Sequence, residues 1–163
     1  MKVLFVTYDF PYPITSGGKN RAYNLLKNTA KKADIFLYSF VREDFYPDFI
    51  PEIESLGVKQ VFVHKRKKLG ALTNIPQTIF KNCSIFKTLY YDRKVVSELK
   101  KIIQDNDIDI IHFESSYTGF YINSPLSKMR VRKVLGTENI EFKLYQDFAK
   151  SQKPYLRPFI SYQ

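Results

Sequence analysis

The sequence predicts an α/β fold with a doubly wound parallel sheet, and three observations lead there. Five short apolar runs alternate with stretches whose apolar residues recur every three or four positions, the pattern of strand followed by helix. The runs over residues 3–6 and 34–40 are nearly continuous in apolar residues, as in parallel strands covered on both faces. The loops richest in Gly, Ser, Thr, Asn and Glu, at 9–18, 114–119 and 136–141, all follow strands.

Each element has its own signal. Val3 to Val6 form the first strand, which breaks into a turn-rich loop holding Pro11, Pro13 and the Gly17-Gly18 pair. A helix over about Gly18–Lys32 follows, with Ala22, Leu25, Leu26, Thr29, Ala30 and Ala33 as its stripe and Ser16 or Thr15 as N-cap. The second strand is Asp34–Phe40. A second helix starts near Pro47, turns Ile50, Ile53 and Leu56 inward and stops at Gly57; the third strand is Val58–His64. Lys65-Arg66-Lys67-Lys68 then leads into one or two short helices, broken near Pro76 and carrying Lys81 and Lys87 among apolar positions. Asp92 caps a strongly periodic helix through Val95, Val96, Leu99, Ile102 and Ile103. The fourth strand is Asp107–Phe113. A weak helix over Tyr117–Met129 is interrupted by Pro125, the fifth strand is Val131–Leu135, and a last helix covers about Glu141–Lys150.

Right-handed crossovers allow these strands the order 3-2-1-4-5, with the reversal between the first and fourth. Ligands in such sheets bind outside the carboxyl ends of the strands at that reversal, where the three polar loops lie.

Composition bounds the function. At 163 residues and 44% hydrophobic content the chain supports one domain, residues 1–150, with a real core. Residues 151–163, with Pro154 and Pro158, lack a clean period and suggest a linker or cut tail. A single cysteine, Cys83, excludes an internal disulfide and is expected in the core. No run approaches the roughly 20 apolar residues of a membrane span, and no signal-peptide pattern follows Met1, so a cytoplasmic protein is expected. The 26 Lys plus Arg against 16 Asp plus Glu, a net +10, imply a negatively charged partner: phosphorylated metabolites, anionic lipid or nucleic acid. No nucleic-acid recognition module is visible, which disfavours the last.

Several chemistries fail on spacing. Thr15-Ser-Gly-Gly-Lys-Asn20 lacks the earlier glycine and the following Ser or Thr of a P-loop, since Pro13 and Asn20 stand there. The G-x-G-x-x-G dinucleotide fingerprint and the G-x-S-x-G nucleophile elbow are absent. His64 and His112, with one distant cysteine, make no zinc site of known spacing. His112 is either a buried, hydrogen-bonded strand residue or a cleft residue at the strand end. Glu114, Glu138 and Glu141 can bind sugar hydroxyls, act as a base or cap helices. Gly17-Gly18 permit close approach of a ligand to a helix N-terminus.

Phe10-Pro-Tyr-Pro-Ile-Thr-Ser-Gly-Gly-Lys-Asn-Arg21, Asp109-Ile-Ile-His-Phe-Glu114 and Leu135-Gly-Thr-Glu-Asn-Ile-Glu141 resemble, in order, three cleft loops of glycosyltransferase family 4. The resemblance covers about residues 1–150. It implies the N-terminal, Rossmann-like, acceptor-side domain of a retaining, sugar-nucleotide-dependent transferase of the GT-B type. Such an enzyme moves a hexosyl group to a glycan or lipid-linked acceptor in polysaccharide biosynthesis. The nucleotide-sugar pocket and catalytic glutamates would lie mostly in a C-terminal domain that this sequence lacks, so the fragment alone would be inactive. By resemblance, Gly17 and Gly18 approach the donor diphosphate, and Arg21, Glu114, Ser115, Thr137, Glu138 and Asn139 line the cleft or meet the acceptor. Many relatives carry a histidine where Glu138 stands. No metal or resident cofactor is implied; the nucleotide sugar is a co-substrate. A membrane-proximal acceptor would suit the basic run, with Lys65, Arg66, Lys67 and Lys68 facing the inner side of the cell membrane. The alternative is a stand-alone basic α/β module that binds anionic lipid or nucleic acid.

Overall fold

A computed structural model describes residues 1–66, 87, 90–137 and 150. The expectations for Cys83, Pro76, Lys67, Lys68, Glu138, Asn139, Glu141, the tail and all but the last residue of the final helix lie outside those residues. Five strands, β1 (Lys2–Thr7), β2 (Asp34–Val41), β3 (Val58–Lys65), β4 (Ile110–Glu114) and β5 (Arg132–Gly136), form one sheet. Every pairing is parallel and the order is β3-β2-β1-β4-β5. This is the expected topology, with its reversal between β1 and β4.

Strand alternation divides the core into two layers. Val3, Phe5, Ile35 and Leu37 turn to one face and bury Leu26 of α1 (Gly17–Thr29) and Ile53 of α2 (Ile50–Glu54). Leu4, Val6, Phe36, Tyr38, Phe40, Ile111 and Phe113 turn to the other and meet α3 (Arg93–Asp105). All five apolar positions of the α3 stripe, Val95, Val96, Leu99, Ile102 and Ile103, are buried, and each contributes roughly 1.5–3 kcal/mol. Asp92 opens α3, its Oδ1 accepting the Lys94 N–H at 2.8 Å.

Several boundaries differ from expectation for local reasons. α1 ends at Thr29, not Lys32, because the Lys32 and Ala33 N–H groups both turn back to the Thr29 carbonyl. α2 is short and is preceded by a 3₁₀ turn over Pro47–Phe49; it ends at Glu54, and the turn that leads on to β3 closes at Gly57, whose φ of +94° suits glycine. β4 begins at Ile110, not Asp107. Asp107 sits at φ +50° as the helix turns into the strand, and Asp109 ties down the start of β1 by accepting the Lys2 N–H at 2.8 Å. The weak helix after β4 reduces to one turn, α4 (Ser116–Gly119), and a 3₁₀ turn over Pro125–Lys128. Between them Tyr121 is fully buried, its hydroxyl donating to the Tyr90 carbonyl and accepting the Asp92 N–H.

Candidate functional site

The α1 face of the sheet ends, at its carboxyl edge, in a row of small and polar residues. Ser39, Thr7, Glu114 and Gly136 are in register across β2, β1, β4 and β5. One step back, Leu37, Phe5, His112 and Val134 form the preceding row. Thr7 and Ser39 satisfy each other, the Thr7 hydroxyl donating to Ser39 Oγ at 2.9 Å.

Glu114 is the centre of this edge. Its side chain is 1% exposed, and both of its oxygens are engaged. Arg21, on the second turn of α1, donates Nε–H to Oε1 at 2.6 Å, a short charge-assisted bond. His112 Nε2 lies 2.7 Å from Oε2, within hydrogen-bond distance of the carboxylate. The His112 ring rests on Phe5 with centroids 4.7 Å apart. Arg21 Nη1–H also donates to the Thr137 carbonyl at 3.3 Å, so one guanidinium on the helix that follows the first polar loop joins the starts of the other two. A carboxylate buried this deeply is tolerable only with such partners.

Gly136 makes room for the cluster. A Cβ there would lie 2.5 Å from Glu114 Oε2 and 2.8 Å from His112 Nε2, inside contact distance of both. Ser115 follows Glu114 at φ +82°, ψ 148°, a backbone region that costs about 1–3 kcal/mol for a non-glycine residue. Its N–H donates to the Gly136 carbonyl at 2.7 Å and its Oγ accepts the Tyr117 N–H at 3.4 Å, which holds the strained link in place.

At the mouth, Ser16 caps α1 by accepting the Lys19 N–H at 3.3 Å. Thr15, the other N-cap candidate, is not used. Gly17 and Gly18 are the first two residues of α1. A Cβ added at Gly17 would meet nothing within 4 Å among the described residues, so packing there does not require glycine.

The structure thus joins Arg21, Glu114 and Thr137 and sets Gly17 and Gly18 one turn earlier on the same helix. Glu114 and Ser115, expected from the sequence to line the cleft, are each 1% exposed and lie beneath it. His112 takes the first of its two expected settings, a hydrogen-bonded strand residue whose partner is the buried Glu114. Its i, i+2 spacing from Glu114 on one strand was a legible sign of that contact. The Arg21–Glu114 contact, 93 residues apart, had none. Of the basic run, the described Lys65 lies elsewhere: it is exposed at the end of β3, two strands from β1. Arg66, expected to face outward with it, instead donates to the Tyr90 hydroxyl at 2.8 Å and stacks over that ring. Attraction of the guanidinium to the face of the Tyr90 ring, together with the hydroxyl acceptor, draws it in.

Among the described residues no group of three or more His, Cys, Asp or Glu is placed to hold a metal ion. Nor is any helix there long and apolar enough to cross a membrane.

The chain matches no protein-family model and no curated protein. Among solved structures, it is similar to the C-terminal domain of a hydrogenase from Pyrococcus furiosus at 12% identity and a TM-score of 0.54. The match covers 82% of this chain and 89% of that one. At that identity the likeness concerns the fold alone, a Rossmann-like α/β domain.

Proposed function

We propose that this chain is the acceptor-side domain of a retaining, sugar-nucleotide-dependent glycosyltransferase of the GT-B type. The observation that carries the reading is the Arg21 bridge. Three loops that resemble glycosyltransferase family 4 in sequence meet at the strand-order reversal, held by one guanidinium on Glu114 and on the Thr137 carbonyl. The unfilled space at Gly17 supports it further, because a glycine with no packing reason at a helix start suits close approach by a diphosphate.

In this reading the buried Glu114 is a positioning residue and not a base, since both oxygens are already engaged. It holds Arg21, whose side chain is 41% exposed, at the surface of the cleft. Backbone amides at Gly17 and Gly18 meet donor phosphate, and the transfer itself needs the acceptor hydroxyl in line with the anomeric carbon of a donor held by the opposite domain.

The test uses the complete reading frame that contains this chain, assayed for sugar transfer from a panel of nucleotide sugars. Gly17→Val should lower kcat/KM by about 100-fold, the scale of loss expected when a bound group is displaced by an ångström. Unchanged kinetics in that variant, or a reading frame without a second Rossmann-like half, would sink the proposal.

A further inference from the structure

A cleft of about 420 Å³ opens one strand away from the reversal, between the loop after β1 and the loop over residues 42–49 after β2. That second loop belongs to none of the three polar loops described above. The volume lies within the roughly 300–1,000 Å³ typical of small-molecule sites.

One wall is aromatic and held in place. Tyr46 is 63% exposed, and its ring meets Phe49 nearly edge-on with centroids 5.8 Å apart. Phe49 is in turn braced by Phe45 at 6.4 Å and by Tyr12 at 5.6 Å. Tyr46 thus presents an exposed ring to the cleft on a braced aromatic support. The remaining wall is polar. Asp9 and Lys19 pair at 3.7 Å with side chains 22% and 17% exposed, and Asp9 Oδ1 also accepts the Phe10 N–H at 3.1 Å. Arg42 and Asp44 add a second cation and a second carboxylate.

Charge selects the ligand class. Among the described residues two carboxylates and two cations line the cleft, so their formal charges cancel on a chain of net +10. A phosphate would meet both aspartates as well as both cations. A neutral polyol meets each group favourably: its hydroxyls donate to Asp9 and Asp44 and accept from Lys19 and Arg42, while its C–H face lies on the tyrosine. We infer that this cleft is a carbohydrate subsite that takes an uncharged hexopyranose unit, with Tyr46 as its stacking platform. Its role as the acceptor's sugar site rests on the glycosyltransferase reading; its capacity to bind sugar does not.

The test is an amide-shift titration of the isotope-labelled 163-residue chain by NMR. Methyl glycosides of glucose, galactose and mannose and free N-acetylglucosamine form one arm, and inorganic phosphate and UMP form the other. At least one sugar should move amides over residues 12–19 and 42–49 with a Kd near about 1 mM, the weak affinity expected of a single small ligand. Tyr46→Ala should weaken that sugar at least about tenfold with an intact spectrum, Asp44→Asn should weaken it less, and Tyr46→Phe should retain binding. Three results overturn the inference: no sugar moves these amides, phosphate or UMP moves them while sugars do not, or the shifts survive Tyr46→Ala. Sugar binding here with no transfer by the complete chain would remove the enzyme reading and leave the subsite. Transfer without sugar binding here would do the reverse.

Discussion

Two glutamate–histidine pairs lie on opposite faces of the sheet. On the α1 face Glu114 and His112 meet at 2.7 Å under Arg21; on the α3 face Glu98 and His64 meet at 3.2 Å beside Tyr38. The Tyr38 hydroxyl donates to Glu98 Oε2 at 2.5 Å, and Lys94 lies 3.8 Å from the other oxygen. The residue types are alike, but the setting differs. The Glu114 side chain is 1% exposed, whereas that of Glu98 is 34% exposed on the rim of a helix. Burial therefore decides what each arginine, lysine or hydroxyl is worth. A carboxylate inside the sheet depends on its cation, while one at the rim has water as an alternative partner.

The largest effect should come from removing the cation. Arg21→Met strands the buried Glu114 charge and should destabilise by about 3 kcal/mol, the low end for a broken buried pair because the arginine is partly solvated. Urea denaturation would show it as a lower midpoint at unchanged slope. Adding Glu114→Gln to Arg21→Met should recover much of that loss, since no charge is then stranded. A double variant no more stable than Arg21→Met would break the contrast. Next is Gly136→Ala, whose Cβ collides with Glu114 Oε2 and His112 Nε2. It should cost about 1–3 kcal/mol, a fall in Tm of very roughly 2–12 °C for a domain of this size.

On the other face the effects should be smaller and visible at alkaline pH. Burial, then the bond to Glu98, raises the Tyr38 pKa far above its usual value of 10.0; Tyr121 and Tyr90 are raised by burial as well. A raised phenol keeps its proton in the folded state after the unfolded chain has lost it. The stability is thus complete below pH 10 and declines above it, by about 1.4 kcal/mol per pH unit for each such tyrosine. Tyr38→Phe should lose about 1 kcal/mol at pH 7 and flatten the alkaline decline by one proton's share, measured by urea midpoints from pH 9 to 11.5. An unchanged slope would show that Tyr38 titrates normally. Smallest of all, Glu98→Gln should change stability by about 1 kcal/mol or less, against a loss several times larger at Arg21.

The same contrast explains how much was legible. The alternation of strands and helices and the α3 stripe follow from local period, so Val95, Leu99 and Ile103 could be placed from spacing alone, while handedness allowed the observed strand order without fixing it. The i, i+2 spacing put His112 and Glu114 on one side of β4 but left open which helix covers that side. The cleft beside Tyr46 was hidden for a similar reason. Arg42, Asp44 and Tyr46 carry no periodic pattern, and their meaning comes from Asp9, Lys19 and Tyr12 across the gap.

By itself the sequence determined the alternation of elements and the polar character of three of the loops that follow strands, because each of these is written in spacing a few residues long. Only the tertiary structure decided that Arg21 closes over Glu114, that Gly136 leaves room for it, and that a charge-balanced cleft opens between the β1 and β2 loops. Those contacts join residues tens of positions apart, and their energies depend on burial, which exists only after the layers have packed.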